Sequence, residues 1–175
     1  MYKEVALKLA GGDTVAIFQG KAEAGPRALG NRSLLYDPRD PNAKEWINTI
    51  KQREWYRPFA ATIMADHVED WFHIDSSPFM MYAVPVKEEK AALIPGVIHR
   101  DNTCRIQTLT RDQNPRYYEL IEAFYELTGV PLLFNTSLNL GGEVMVETRE
   151  EAIDLVKRSN INHLYLPEEA TVCTY

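Results

Sequence analysis

At 175 residues the chain is long enough to bury a core and fits one domain spanning residues 1–175. Its 45% hydrophobic and 25% charged residues are ordinary for a globular protein, and a net charge of −6 argues against a nucleic-acid coat protein. No apolar run approaches the roughly 18 residues that cross a bilayer, and no signal-peptide core opens the chain. With Cys104 and Cys173 too far apart for a CxxC pair, the expectation is a cytoplasmic protein with free, buried thiols.

Tyr2–Leu9, the first element, places Val5, Ala6 and Leu9 at helical spacing and closes at Gly11-Gly12. Thr14–Phe18 reads as a short buried strand running into Gln19-Gly20, a strand-then-glycine turn that sets a loop at a sheet edge, where ligands bind. Gly20, Gly25 and Gly30 fit neither GxGxxG nor GxxxxGK[ST], so this is no standard phosphate loop. Asn42 and Glu45 have capping-box spacing for a helix that buries Trp46, Ile47 and Ile50. Beyond it, Lys51, Arg53, Trp55 and Arg57 alternate with Gln52, Glu54 and Tyr56. That alternation predicts a strand with three cations and an aromatic ring on one side, and Pro58 favours extended geometry at Arg57.

Phe59–Met64 continues as a strand, and Asp66 and Glu69 cap a short helix bearing Val68, Trp71 and Phe72. Phe79–Val86 is a further strand-like run, and Asp101-Asn102 make a turn. Thr103–Leu109 alternates so that Arg105 and Gln107 share a side. The clearest helix starts at Asn114-Pro115, turns Tyr117, Ile121, Phe124 and Tyr125 inward and stops at Gly129. The strand Val130–Phe134 leads into a second polar, glycine-ended loop, Asn135–Glu143. Thr148 and Glu151 cap a helix through Ala152, Ile153, Leu155 and Val156, and Ile161–Leu166 and Thr171–Thr174 close the chain as strands. Helices and strands interspersed in this way predict an α/β domain, a mixed, twisted open sheet with flanking helices.

One stretch stands apart from this frame. Gln19–Ala61 carries eight Lys or Arg against five Asp or Glu, a cationic, glycine-bearing island in an acidic protein, as an anionic small molecule would require. The bland alternative is a solvated face of salt bridges. The Ser137–Asn139 loop likewise has a plain reading, a connection whose hydroxyl and amide groups satisfy backbone, and His99 could be a hydrogen-bonded turn residue. His67, His73, His99 and His163 lack metal-site spacing, and neither Ser33 nor Ser137 sits in a G-x-S-x-G elbow.

Several long segments carry a resemblance. GKAEAGPRALGNRSLLYDPRD, NTIKQREWYRPFA, HRDNTCRIQTL and PLLFNTSLNLGGEVMVETREEAI resemble, in the same order, the C-terminal domain of NodU/CmcH-type O-carbamoyltransferases. Asn102 and Cys104 depart from that family's usual His-x-Asp-Gly-Thr-Ala/Ser-Arg; Asn tolerates the turn conformation that Gly takes, so the loop should survive. The domain is in turn similar to YrdC-like proteins, with Lys51-x-Arg53 and Ser137-x-Asn139 matching their K-x-R and S-x-N elements. The resemblance implies that carbamoyl phosphate loses its phosphate and the carbamate attacks ATP, giving carbamoyl-AMP and pyrophosphate. It also implies Mg²⁺ carried in with ATP, and an upstream metal-binding domain, absent from this chain and supplied in cis or in trans, that passes the carbamoyl group to a hydroxyl.

On that reading Lys51, Arg53 and His99 act in catalysis, and Arg27, Asn31, Arg32, Arg57 and Arg105 hold carbamoyl phosphate. Lys51, Arg53, Ser137 and Asn139 hold the nucleotide. Anion positioning and neutralisation is what such cations supply. The competing readings are a non-catalytic nucleotide- or RNA-binding module using the same basic groove, and a structural domain that shapes a partner's active site. The carbamoyl-adenylate reading requires the Gly25–Arg32, Lys51–Arg57 and Ser137–Asn139 segments to converge.

Overall fold

The computed structural model describes residues 1–175. Its strands are β1 (Val15–Phe18), β2 (Arg32–Tyr36), β3 (Ala60–Met64), β4 (Ala83–Pro85), β5 (Thr103–Leu109), β6 (Leu132–Ser137), β7 (His163–Leu166) and β8 (Thr171–Thr174). The helices are α1 (Tyr2–Ala10), α2 (Ala43–Ile50), α3 (Val68–Trp71), α4 (Glu88–Ala91), α5 (Pro115–Thr128) and α6 (Arg149–Lys157). All eight strands join one sheet in the order β4-β5-β3-β6-β2-β1-β7-β8. β1/β7 and β3/β5 pair in parallel and every other neighbouring pair is antiparallel, so the sheet is mixed, as the interspersed elements imply.

Strands β2 and β3 are buried along their whole length, including the polar Arg32, Ser33 and Thr62. Helices α1 and α5 pack on each other, and α5 also meets β3 and β6. Phe59 and Phe134 stack at 4.6 Å between ring centroids, fixing the entry of β3 against β6.

The end signals account for the best-read helices. Asn114 accepts a hydrogen bond from the Tyr117 N–H, Pro115 opens α5, and Gly129 closes it in the left-handed region at φ 73°. Thr148 and Glu151 form both halves of a capping box at α6. Asn102 takes φ 60°, so the turn after His99 is made by Asn, as expected from its tolerance of that region.

Four local expectations are corrected. Lys51–Arg57 is not a strand: Lys51 caps the end of α2 and the chain continues in turns to β3. Asn42 makes no side-chain cap, its own N–H instead being taken by Asp40 Oδ1 at 2.8 Å. Trp46 is exposed, and α2 buries Ala43, Ile47, Asn48 and Ile50. The apolar run Phe79–Val86 contributes only the three residues of β4, because Phe79, Met81 and Tyr82 face outward.

Candidate active site

The register of the sheet sets the floor of the site. Ala60 on β3 pairs with Arg105 on β5 and with Asn135 on β6, and Ser33 on β2 pairs with Ser137 on β6. Cross-strand partners project to the same side, so Arg105, Asn135 and Ser137 rise from one face, with the small Ala60 leaving room between the first two. Behind them Thr62 donates to Gln107 Oε1 (2.8 Å), and Asn135 Nδ2 donates to Thr62 Oγ1 (2.8 Å) and to the Ala28 carbonyl (3.2 Å). The last bond ties the Gly25–Arg32 loop to the sheet. Glu23 shapes that loop from within, its Oε1 accepting from the Leu29 and Asn31 N–H groups at 2.7 and 2.9 Å.

The second wall grows out of α2. Gln52 adopts φ 51°, a left-handed turn that reverses the chain after the helix. Asn48, buried on α2, then organises the turns from Arg53 to Arg57. Its Oδ1 accepts from Arg53 Nε at 2.7 Å, and its Nδ2 donates to the Trp55 and Arg57 carbonyls at 3.0 and 3.1 Å. The Arg53 guanidinium lies 4.4 Å from the centroid of the Phe59 ring, a cation–π contact that keeps it extended.

Lys51 joins this wall to the third segment. Its Nζ donates to the Ser137 carbonyl (2.6 Å), the Asn139 carbonyl (2.8 Å) and Asn139 Oδ1 (3.0 Å), and Ser137 Oγ donates to Asn139 Oδ1 at 2.6 Å. The Gly141 N–H in turn donates to the Lys51 carbonyl at 2.6 Å. A Cβ on Gly141 would sit 2.8 Å from the Gln52 carbonyl oxygen and 2.9 Å from that of Lys51, so only glycine permits this approach. All three ammonium protons therefore have protein acceptors.

Two clefts lie on these walls and share Arg53 and Ser137. The larger, about 470 Å³, is lined by Lys51, Arg53, Arg57, Ser137, Asn139 and the Gly141-Gly142 turn. The smaller, about 120 Å³, lies between Arg27, Arg53, Arg105, Asn135 and Met80, and no carboxylate lines it. Burial pushes Lys51 down to about 7, with Arg53 adding to the fall. It pushes Arg53 down to about 10, helped by Arg57 and opposed by Glu54. Arg105 is lowered by burial and then by Arg27. Cations crowded against each other under partial burial are stabilised by a bound anion.

Three expected site residues are not brought to these clefts. Arg32 is buried on the first position of β2, its guanidinium 3.6 Å from the Phe18 ring centroid. It donates to the carbonyls of Gln19 (2.6 Å), Gly20 (3.1 Å), Asn31 (3.2 Å) and Glu147 (3.1 Å). It fastens the loop and has no face toward the arginines. Asn31 lines a separate cleft with Gln19, Gln107 and Asn114, donating to the Lys21 carbonyl (3.0 Å) and accepting from Asn114 Nδ2 (3.1 Å). His99 lines a fourth cleft, of about 660 Å³, with Trp55 and Tyr56. Its Nε2 lies 2.9 Å from the Phe59 carbonyl and must donate there, while Nδ1 lies 3.1 Å from Thr103 Oγ1. Arg57 does reach the larger cleft, half exposed and paired with Glu54 at 2.7 Å.

Sequence reasoning missed Asn48, Asn135 and Glu23. Asn48 gave a signal, since an amide between Ile47 and Ile50 on a helix is out of pattern; Asn135 could be found only through strand register.

The mixed sheet and its cation-lined edge define a YrdC-like α/β domain. Among solved structures it is similar to full-length HypF in its phosphate- and nucleotide-bound form, with TM-score 0.64 and 21% identity, covering 94% of this chain and 27% of that one. It is likewise similar to YciO of E. coli, with TM-score 0.61 and 18% identity, covering 95% of this chain and 76% of that one. At such identities these likenesses speak for the fold alone. The chain itself belongs to the family described as carbamoyltransferase C-terminus, whose model matches residues 6–172. Its relatives include nodulation protein NolNO of Sinorhizobium fredii, 42% identical over 89% of this chain and 24% of that protein. Another is 3'-hydroxymethylcephem-O-carbamoyltransferase of Amycolatopsis lactamdurans, 39% identical over 87% of this chain and 29% of that protein. The chain thus spans about a quarter to a third of the length of such relatives.

Proposed function

We propose that this domain makes carbamoyl-AMP from ATP and carbamoyl phosphate. Water releases phosphate and carbamate from carbamoyl phosphate. A carbamate oxygen then bonds to the α-phosphorus of ATP as the α–β bridging P–O bond breaks, releasing pyrophosphate. The reading rests on one observation, the pair of connected clefts that share Arg53 and Ser137. One is large enough for a polyphosphate, and the other is a small arginine pocket with no lining carboxylate.

In this reading Arg27 and Arg105 hold carbamoyl phosphate in the small cleft, and Arg57, Ser137 and Asn139 hold the nucleotide phosphates. Arg53 stands between them, where both substrates need charge neutralised at once. Lys51 holds the Ser137–Asn139 loop and adds charge from beneath it, and His99 holds the start of β3 through the Phe59 carbonyl. Mg²⁺ enters on the ATP, since such ions take most of their ligands from substrate phosphates and water. Residues 1–175 form one such unit. Transfer to a hydroxyl falls to the part of the longer relatives outside the matched region, in keeping with the name of the cephem relative.

Pyrophosphate release measured with both substrates tests this. Release should require ATP and carbamoyl phosphate together, and Arg53→Ala should lower it by about 10- to 100-fold, the worth of one or two charge-assisted hydrogen bonds. The proposal fails if wild type releases none and Arg27→Ala and Arg53→Ala bind ATP and carbamoyl phosphate as wild type does.

A further inference from the structure

A residue lining the smaller cleft carries a buried polar atom that no protein group satisfies. Asn135 is 1% exposed, and its Nδ2 is held by Thr62 Oγ1 and the Ala28 carbonyl. That bonding fixes which end of the amide is which, because Thr62 gives its own proton to Gln107 and must accept from Asn135. Asn135 Oδ1 is left without a partner. An unsatisfied buried acceptor costs about 1–3 kcal/mol, and this one belongs to a side chain on the floor of a pocket, directly across from Ala60 and on the same face as Arg105.

The surrounding side chains make the position selective. Arg27, Arg53 and Arg105 offer only donors, so they hold any small phosphate or carboxylate and do not distinguish an acyl phosphate bearing an amine from one bearing a methyl group. Thr136 and Ser137 also line the cleft, but a hydroxyl can donate as readily as accept; Asn135 Oδ1 is the unpartnered side-chain atom there that can only accept. We infer that Asn135 is the specificity-determining residue of this pocket, accepting an N–H of the ligand's carbamoyl group and thereby rejecting acyl phosphates that lack one. The inference rests on carbamoyl phosphate being the occupant of the small cleft.

The test compares carbamoyl phosphate with acetyl phosphate, which places a methyl group where the amine stands, by titration calorimetry on the whole chain. Wild type should favour carbamoyl phosphate by about tenfold or more, the worth of one hydrogen bond to a buried acceptor. Asn135→Leu, similar in shape with no acceptor, should bring the ratio near one, carbamoyl phosphate losing more affinity than acetyl phosphate. Asn135→Ala, which also has no acceptor, is read in the same way if the leucine variant fails to fold. Equal binding of the two phosphates by wild type overturns the inference while leaving the anion site intact, and so does an undiminished preference in a folded variant. Failure of wild type to bind either phosphate overturns the functional reading itself, and the inference with it.

Discussion

Lys51 shows what burial does to a single charge here. The residue is 2% exposed, its ammonium group ringed by Ser137 and Asn139 oxygens and pushed down to about 7 by burial and by Arg53. An anion in the adjoining cleft favours the charged form and raises that value. Above pH 7 the free protein therefore holds the neutral amine and the complex the ammonium, so binding takes up a proton and affinity falls as pH rises through this window. Calorimetry at pH 8 in buffers of different ionisation enthalpy should register that uptake, and Lys51→Met should abolish it. The same depressed pKa has a stability consequence of opposite sense. Between about 7 and the ordinary lysine value of 10.5 the unfolded chain binds the extra proton, so the contribution of Lys51 to stability rises with pH across that interval. A wild-type affinity that does not change between pH 6 and 9 would sink the first expectation. An identical pH profile of melting temperature in Lys51→Met would sink the second.

At the scale of elements, the site depends on turns that the sequence pattern hides. Lys51-x-Arg53-x-Trp55-x-Arg57 alternates as a strand does, yet α2 ends at Ile50 and the cations are displayed by a loop pinned to Asn48. Period-2 reasoning has no access to a bond made by a helix side chain to later backbone. It brought the right residues together for the wrong local reason. Arg32 failed for a related cause, because its place on β2 turns its guanidinium toward Phe18 and four carbonyls. By contrast α5 and α6 were legible because their caps are local chemistry, read within four residues. Asn48→Ala should cost about 1–3 kcal/mol, since it orphans two carbonyls and an arginine, and should weaken ATP binding by freeing Arg53 and Arg57. A denaturant titration alongside ATP titration checks both. Gly30→Ala tests the other wall. Gly30 sits at φ 107°, and an added Cβ would lie 2.2 Å from the Tyr117 ring, so a loss of about 2–3 kcal/mol is expected. For a chain of this size that is a fall in melting temperature of about 5–10 °C, and an unchanged melting curve would show that the loop does not rest on Tyr117.

For the whole molecule the question is how an acidic protein presents a basic site. The net charge is −6, while the two connected clefts gather Arg27, Arg53, Arg57 and Arg105. Many of the remaining exposed arginines are paired: Arg111 with Glu122, Arg116 with Glu168, Arg149 with Glu169 and Arg158 with Glu143. Such pairing offsets much of the arginine charge outside the recess, and the acidic total repels a long polyanion. A small phosphate ligand reaches the recess without that penalty. Salt should therefore weaken ATP binding only moderately between about 50 and 200 mM. A single-stranded RNA confined to the four arginines of the two clefts would have a log–log salt slope of roughly 3, and its affinity should not exceed that of ATP. Fluorescence titration is a convenient readout, because Trp55 stands exposed on the Lys51–Arg57 loop, between Arg53 and Arg57. RNA that displaces ATP at submicromolar concentration with a steeper slope would favour a nucleic-acid-binding module over an adenylate-forming one. ATP binding that persists against excess RNA, and is lost in Arg53→Ala, is the outcome that the arginine recess predicts.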